Sequence, residues 1–300
     1  MFLLRMILFA IFLGICAGHP ANRGKPIPPV LKSEVLLQKG YDRETIAKRL
    51  KAWKPEDKQN IWELSGLHEG DIILPAPGLA NKNGLLNDNL RWTDGVVPYF
   101  LKEEDFEKEE IAVIMGAIKE YHNKTCLRFR PYKESDQDYV TVQGSDSGCW
   151  SSVGRQRKGQ ILNLQTPNCV RHGVAVHEFM HAIGFFHQHS AANRDNYVTI
   201  HWENIEPGRA HNFKKFDNDT VTEFGVEYDY GSVMHYSAFA FSKNDEPTIE
   251  PKMKHITIGQ RRGLSDKDIA KVENMYKPHC EKRQAKEDES DYDLDLWFLD

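Results

Sequence analysis

The stretch HEFMHAIGFFHQH, residues 177–189, constrains this chain more than any other part, because it places four histidines in an otherwise apolar run. Its apolar residues predict a largely buried helix over residues 171–186. On such a helix, His177 and His181 lie on one face, four residues apart. Two imidazole nitrogens at that spacing can bind a single metal ion. The stretch therefore predicts a metal site on a buried helix.

Three neighbouring residues extend this pattern toward catalysis. Glu178 can take a proton from a zinc-bound water without binding the metal, which is the arrangement H-E-x-x-H. Gly184 tolerates a positive φ and can turn the chain out of the helix, so that His187 supplies a third nitrogen. Structural zinc sites usually fill all four positions with Cys or His, whereas three ligands leave one position open. The sequence therefore predicts one catalytic zinc ion per chain.

Composition and the amino terminus limit the remaining possibilities. The chain has 300 residues and a net charge of −5, which argues against a nucleic-acid partner. Its first residues, MFLLRMILFAIFLGICAG, have one arginine, a short apolar run and small residues. This pattern predicts a signal peptide over residues 1–18 and a secreted, extracellular protein. The run is too short for a membrane anchor, and no later segment approaches the roughly 20 apolar residues of a spanning helix.

Cysteines and glycosylation sequons fit the same compartment. Without the signal peptide, the cysteines are Cys126, Cys149, Cys169 and Cys280. An even number in a secreted protein indicates two disulfides, and the spacing leaves three pairings open. Asn123 and Asn218 each begin an N-x-T sequon for glycosylation.

Hydrophobic periodicity separates regions of different character. Residues 19–82 look unlike the rest: a proline-rich start is followed by a charged segment up to Asn60, where we expect helical stretches, and residues 64–84 predict a loop-rich linker with little to build a core from. Residues 104–124 predict an amphipathic helix. Strands are predicted within residues 127–132, 138–144 and 159–165. A last helix opens at Ser265, where Asp268 can complete a capping box, and Pro278 is expected to end it. We expect the acidic tail, residues 281–300, to be disordered.

Longer motifs carry a resemblance to a known family. The motifs are RWTDGVVPY (91–99), GCWSSVG (148–154), HEFMHAIGFFHQ (177–188), RDNYVTI (194–200), SVMHY (232–236) and IGQRRGLSDKD (258–268). Together they resemble the astacin family of the metzincin clan over residues 83–280. The resemblance implies an α+β fold, with a twisted sheet and long helices in an N-terminal lobe. An irregular C-terminal lobe and an active-site cleft between the lobes complete the expected architecture.

The resemblance also implies roles for individual residues. The zinc ligands would be His177, His181 and His187, and Glu178 would be the general base. Met234 would be the Met-turn residue beneath the metal. Tyr236 would be an additional zinc ligand that swings away to stabilise the oxyanion. The implied disulfides are Cys126–Cys280 and Cys149–Cys169.

The sequence EGDI at residues 69–72 resembles the segment that keeps precursors of this family inactive. The resemblance implies an inhibitory propeptide over residues 19–82, whose Asp71 carboxylate binds the zinc. An activating trypsin-like protease would cut near Lys82–Asn83 and release the peptidase domain, residues 83–280.

Some positions depart from the family pattern. Gln188 replaces a glutamate that pairs with the new amino terminus, and it cannot form that ion pair. Ala191 and Asn193 replace the family's usual Arg and Asp, whereas Arg194 and Asp195 are kept.

The expected function is that of a secreted, monomeric zinc endopeptidase made as a zymogen. It would bind protein or peptide substrates extended in the cleft, beside the chain near Trp150–Val153. Two other functions are compatible with the same fold, namely a binding module without activity and a structural zinc protein.

Overall fold

The computed structural model describes residues 26–29, 42–74, 87–217 and 222–297. The predicted signal peptide, the predicted cut near Lys82–Asn83 and the sequon at Asn218 lie outside these residues. Residues 42–74 are called the N-terminal segment below, and residues 87–217 with 222–297 are called the main body. Among the helices described, none combines the length and apolar composition that a bilayer span requires.

The described residues contain both helices and strands in an α+β arrangement. The helices are α1 (Arg43–Ala52), α2 (Lys108–Lys124), α3 (His172–Ala182) and α4 (Asp266–Trp297). The strands are β1 (Ile72–Ile73), β2 (Val96–Leu101), β3 (Arg128–Pro131), β4 (Val140–Gln143), β5 (Cys149–Ser152), β6 (Gln160–Leu164), β7 (Val198–Ile200) and β8 (Ile249–Pro251). The expected α+β fold is confirmed, and the three predicted strands correspond to β3, β4 and β6.

One six-stranded sheet forms the centre of the fold. Its strand order is β1-β5-β6-β4-β2-β3. Strand β5 runs antiparallel to β6, and the other neighbouring pairs are parallel. Strand β1, from the N-terminal segment, lies at the edge beside β5. The region that the sequence predicts to be irregular, between α3 and α4, contains turns and a two-stranded ribbon of β7 and β8.

Helices α2 and α3 pack on each other, and α2 behaves as an amphipathic helix. The buried face of α2 is formed by Ile114, Ala117, Ile118 and Tyr121. The Tyr121 hydroxyl donates to the Val176 carbonyl at 2.8 Å, which joins the two helices. Met115, an apolar residue of the same helix, is exposed. Helix α3 is buried along residues 173–182, as its apolar sequence predicts.

Helix α4 is longer than the sequence suggested. It opens as predicted, because the Asp268 N–H donates to the Ser265 hydroxyl at 2.9 Å and the Ser265 N–H donates to the Asp268 carboxylate at 3.1 Å. The prediction that Pro278 ends the helix is wrong. The prediction that residues 281–300 are disordered is also wrong for the described part, since α4 continues to Trp297.

Contacts beyond the proline explain this continuation. Proline removes one backbone donor, but the helix after it is fixed by other interactions. Cys280 forms a disulfide with Cys126. Arg283 donates to the Asp94 carbonyl at 3.0 Å and to the Cys126 carbonyl at 2.8 Å. The Lys286 ammonium lies 2.5 Å from the Asp94 carboxylate.

The N-terminal segment contributes more to the core than its composition suggested. Ile46, Leu50, Trp53, Ile61 and Trp62 are buried in the same hydrophobic cluster as the residues of α2 and α3. The segment also buries Leu67, Ile72 and Ile73, which lie within the stretch expected to have little to build a core from. Its apolar side chains are too few to form a core of their own, but they pack against a surface that the main body supplies.

The structure contains both disulfides in the pairing that the resemblance implies. Cys149 is bonded to Cys169, 20 residues away, and Cys126 is bonded to Cys280, 154 residues away. The Cys126–Cys280 disulfide joins the chain just after α2 to α4.

Replacing Cys126 and Cys280 together by alanine is expected to lower the free energy of unfolding by about 2–4 kcal/mol. A disulfide restricts the unfolded chain, and this one closes the longer loop. Urea denaturation of the full chain measures the change. The Cys149→Ala, Cys169→Ala protein is the matched control and should lose less, because its loop is shorter. An unchanged unfolding midpoint for the Cys126–Cys280 variant would contradict the expectation.

Candidate metal centre

Helix α3 and the turn that follows it bring three histidines together. His177 and His181 project from one face of α3, and both are fully buried. Gly184 has a φ of +115°, a conformation that favours glycine. It turns the chain out of the helix, so that His187 returns beside the first two rings. The ring centroid of His187 lies 5.2 Å from that of His177 and 4.7 Å from that of His181.

A fourth side chain comes from the N-terminal segment. Asp71 has no solvent exposure. One of its carboxylate oxygens lies 3.0 Å from His177 Nε2, and the other lies 3.5 Å from His181 Nε2 and 3.4 Å from His187 Nε2. The ligand atoms of these residues lie within 4.8 Å of one another. The sequence motif EGDI and the histidine motif therefore meet in space, as the resemblance implies.

The chemistry of this cluster fits a zinc ion. Imidazole nitrogen and carboxylate oxygen are ligands that zinc prefers, and four of them suit its tetrahedral coordination. His181 Nε2 and the Asp71 Oδ1 atom are buried and have no hydrogen-bond partner in the described residues. Buried polar atoms normally have partners, and a cation among the four side chains would supply one.

The outward-facing nitrogens of the histidines are also held. His177 Nδ1 lies 2.8 Å from the Val233 carbonyl, and His181 Nδ1 lies 2.7 Å from the Phe185 carbonyl. His187 Nδ1 lies 2.8 Å from a carboxylate oxygen of Glu69. Acceptors at Nδ1 place the proton there and leave each Nε2 free to bind a metal.

Glu178 is buried next to the cluster in a poorly solvated position. Its side chain has no exposure, and neither carboxylate oxygen has a hydrogen-bond partner in the described residues. Burial, together with the charge of Asp71, raises the pKa of Glu178 well above its usual range. A carboxylate with a raised pKa can accept and return a proton near neutral pH.

The turn that contains Met234, the expected Met-turn, contacts the histidine segment, and α4 supports it. Met234 is buried, and its carbonyl accepts from the Gln188 N–H at 2.9 Å. Asp268, at the start of α4, accepts from the Ser232 hydroxyl at 2.6 Å and from the Val233 N–H at 2.9 Å. The same carboxylate thus caps the helix and holds the turn whose carbonyl orients the first histidine.

Tyr236 is near the cluster but has another partner. Its ring centroid lies 4.8 Å from that of His187. Its hydroxyl donates to the Glu69 carbonyl at 2.5 Å. Tyr236 can bind zinc as an additional ligand only after the N-terminal segment has left its hydroxyl free. That role stays a prediction.

Gln188 lies in a buried polar cluster with two charged residues. Its amide donates to the Glu223 carboxylate at 3.1 Å. The Lys271 ammonium donates to the Gln188 amide oxygen and pairs with Glu223. At position 188, where the family has a glutamate, this chain therefore has an amide. Its partners are a carboxylate and an ammonium that both belong to the main body.

The N-terminal segment lies across the cluster and is fixed at several points. Strand β1 pairs in parallel with β5, the strand near which substrate is expected to bind. The Arg261 guanidinium donates to the carbonyls of Pro55, Asp57 and Gln59. Gly70 has a φ of +94°, and a Cβ atom there would lie 2.9 Å from the Glu63 Cα atom. Glycine is therefore required at the bend that precedes Asp71.

A buried carboxylate provides another of these contacts. Glu63 accepts from the Ser237 N–H at 2.6 Å, from the Ser237 hydroxyl at 2.8 Å and from the Asn60 N–H at 2.9 Å. Burial raises the pKa of Glu63 from 4.5 to about 7, although the hydrogen bonds to Ser237 and Asn60 oppose the shift.

No sequence pattern predicted the contacts of Glu63 and Glu69 or the second role of Asp268. The sequence feature that could have pointed to Glu69 is its position directly before the Gly-Asp motif. No spacing pattern links Glu63 to Ser237, which is 174 residues away. Asn123, the sequon residue that the structure describes, is exposed in the last turn of α2.

Known proteins share both the fold and the site motifs. A family model described as Astacin, a family of peptidases, matches residues 85–277. Zinc metalloproteinase nas-13 of Caenorhabditis elegans is 42% identical over 195 residues, covering 65% of this chain and 43% of that protein. Meprin A subunit beta of Mus musculus is 40% identical over 232 residues, covering 76% of this chain and 32% of that protein. High choriolytic enzyme 1, a hatching enzyme zinc-protease from Oryzias latipes, matches in structure with a TM-score of 0.57 and 36% identity, covering 62% of this chain and 92% of that chain.

The family match, together with three histidines on and after a buried helix, identifies a peptidase domain with a candidate metal centre. The chain belongs to the astacin family of peptidases. It spans less than two thirds of the length of the curated relatives nas-13 and meprin A subunit beta.

The raised pKa of Glu63 predicts a pH dependence for docking of the N-terminal segment. The docked carboxyl group has a pKa of about 7, above its ordinary 4.5, so the docked state binds a proton more readily. Docking should therefore weaken as pH rises from about 4.5 to about 7, and this group should cause no further change above that range. Hydrogen exchange of residues 42–74 in the full chain, corrected for intrinsic rates, measures docking.

The Glu63→Gln protein is the matched control, because glutamine can keep the contacts with Ser237 but does not titrate. Its exchange in residues 42–74 should depend less on pH between about pH 5 and pH 7. An identical dependence in both proteins would show that other groups cause it.

Proposed function

We propose that this protein is a secreted zinc endopeptidase made as a zymogen, which hydrolyses internal peptide bonds of proteins. The observation that carries the proposal is the convergence of His177, His181 and His187 with the buried Glu178, whose carboxylate has no partner among the described residues. A carboxylate supplied by the N-terminal segment, Asp71, lies at the position where an open coordination site is needed. A structural zinc site has no need of a base or of a ligand that can be removed.

The residues of the centre can perform hydrolysis in two proton transfers. A bound zinc ion would supply Lewis acidity, which lowers the pKa of a water molecule and polarises the peptide carbonyl. Glu178 accepts a proton from the attacking water and passes it to the leaving amine. Its burial keeps that proton within the site. Tyr236, once its hydroxyl is free of Glu69, donates to the oxyanion that develops on the former carbonyl.

The edge of the sheet supports the proposed mode of substrate binding. Strand β5 is paired on one side with β6 and on the other side with the two residues of β1. Removal of β1 exposes the backbone donors and acceptors of β5. An extended peptide can then add to this edge and lie across the histidines.

The N-terminal segment fits the role of an inhibitory propeptide. It covers β5, holds the Tyr236 hydroxyl and places Asp71 against the histidines. A tethered carboxylate acts at a high effective concentration, so it competes well for the metal. Cleavage near Lys82–Asn83 by a trypsin-like protease would release the segment. The predicted signal peptide, the disulfides and the sequons at Asn123 and Asn218 support secretion, and we expect a monomer.

Glu178 is expected to be essential after activation. Hydrolysis of fluorescent casein by the secreted precursor is measured before and after limited trypsin treatment, with the trypsin then inhibited. Replacing Glu178 by alanine should lower kcat of the cut protein by about 10²–10⁴-fold, because no other base takes its place. Zinc content should remain one ion per chain. Glu227→Gln, a change at an exposed carboxylate, is the matched control and should keep full activity.

Unchanged activity of the Glu178→Ala protein would contradict the role of the base. A correctly cut, zinc-loaded protein with no activity on casein or on a broad peptide library would instead favour the binding module. A zinc chelator should abolish the activity of the wild-type protein.

Asp71 is expected to keep the uncut chain inactive. Its replacement by alanine removes the carboxylate that faces the three histidines, so uncut Asp71→Ala protein should be at least about tenfold more active than uncut wild type. Casein hydrolysis is measured on protein shown to be intact by mass spectrometry. Asp57→Asn is the control, since the Asp57 carboxylate accepts from the Lys54 N–H within the same segment and asparagine can keep that bond. Equal activity of the uncut wild type and the uncut Asp71→Ala protein would refute the inhibitory role.

A further inference from the structure

The three histidines of the metal centre differ in what holds their second nitrogen. His177 and His181 face backbone carbonyls of the main body at 2.8 Å and 2.7 Å. His187 faces a carboxylate oxygen of Glu69, in the N-terminal segment, at 2.8 Å. The orientation of one histidine therefore depends on a side chain from a segment that the main body does not contain.

Glu69 is itself held in a defined position. Its second carboxylate oxygen accepts from the Ser190 hydroxyl at 2.8 Å. Its N–H donates to the Asn212 side chain at 3.0 Å, and its carbonyl accepts from Tyr236. The residue is 1% exposed and has a φ of +48°. A non-glycine residue adopts this conformation only where its surroundings enforce it. The contacts with Ser190, Asn212 and Tyr236 therefore hold Glu69 with its carboxylate at the imidazole.

We propose that Glu69 is a positioning residue for the metal centre of the uncut chain, acting on zinc through His187. This inference rests on the proposed zinc site. A carboxylate that accepts from Nδ1–H fixes the tautomer with a free Nε2, and it makes the imidazole a stronger ligand. The N-terminal segment thus supplies one zinc ligand, Asp71, and strengthens another.

Release of the segment then changes the centre in two ways. The metal loses the Asp71 carboxylate, and His187 loses its Nδ1 acceptor at the same moment. Release of the segment should therefore weaken zinc binding by more than the loss of the Asp71 ligand alone would.

A role in docking alone is the competing explanation, and Glu63 provides the matched control. Glu63 lies in the same segment and is also 1% exposed. Its hydrogen bonds go to Ser237 and Asn60, and not to a histidine. A change at Glu63 tests the effect of weaker docking without altering the acceptor of His187.

The first measurement is the zinc dissociation constant of the full, uncut chain, by competition with a chromogenic chelator. Glu69→Ala should raise this constant by about 10–100-fold, the usual effect of removing such an acceptor. Glu63→Ala, which removes the bonds to Ser237 and Asn60, should raise it by much less. After cleavage, wild-type and Glu69→Ala chains give main bodies of identical sequence, so the difference must disappear.

Equal constants for uncut wild type and Glu69→Ala would overturn the inference, and so would an equally large effect of Glu63→Ala. A difference that persists after cleavage would also overturn it, because it would show misfolding. Failure of every protein, wild type included, to bind zinc would overturn the proposed function as well.

The second measurement separates positioning from docking without using affinity. Zinc-loaded uncut chain with ¹⁵N-labelled histidine is studied by NMR. Glu69→Gln is close to isosteric but uncharged, so the Nδ1–H proton of His187 should move upfield. The Nδ1–H protons of His177 and His181 should keep their shifts, since their acceptors are unchanged. An unmoved His187 proton, or equal movement of all three, would refute the positioning role.

Discussion

The Asp71 carboxylate lies among three imidazole rings with no exposure to solvent. A buried charge without compensation costs several kcal/mol, so this arrangement is stable only with a positive charge beside it. In the metal-free protein, burial lowers the pKa of His187, but Asp71 and Glu69 together raise it to about 10. A proton on His187 can then balance the carboxylates until a metal ion replaces it. Docking of the N-terminal segment and occupancy of the centre are therefore linked by charge.

The rest of the structure serves to bring distant parts of the chain to this point. Helix α3 supplies two histidines, and the bend at Gly184 returns the third. Asp268 at the start of α4 holds the turn that orients His177, while the Cys126–Cys280 disulfide fixes α4 against the end of α2. The centre thus depends on buried contacts between segments that lie far apart in the sequence.

The sequence was sufficient where the signal was local. The spacing of His177 and His181, the glycine that follows and the amphipathic pattern of α2 each reflect the geometry of one helix, so they could be predicted. The capping box at Ser265 is local in the same sense. The contacts of Glu63 and Glu69 could not be predicted, because they pair the N-terminal segment with residues far along the chain. Pro278 was misleading for a related reason, since the bonds that hold α4 beyond it come from Asp94 and Cys126.

The position of Asp268 has a consequence for the order in which the protein can be assembled during synthesis. Ribosomes deliver the N-terminal segment before the start of α4. The turn that orients His177 can be fixed only after Asp268 has emerged, by which time residues 42–74 have long been available to dock. The centre therefore reaches its final geometry with its covering segment already present. A newly made chain can therefore cover the centre as soon as the centre forms.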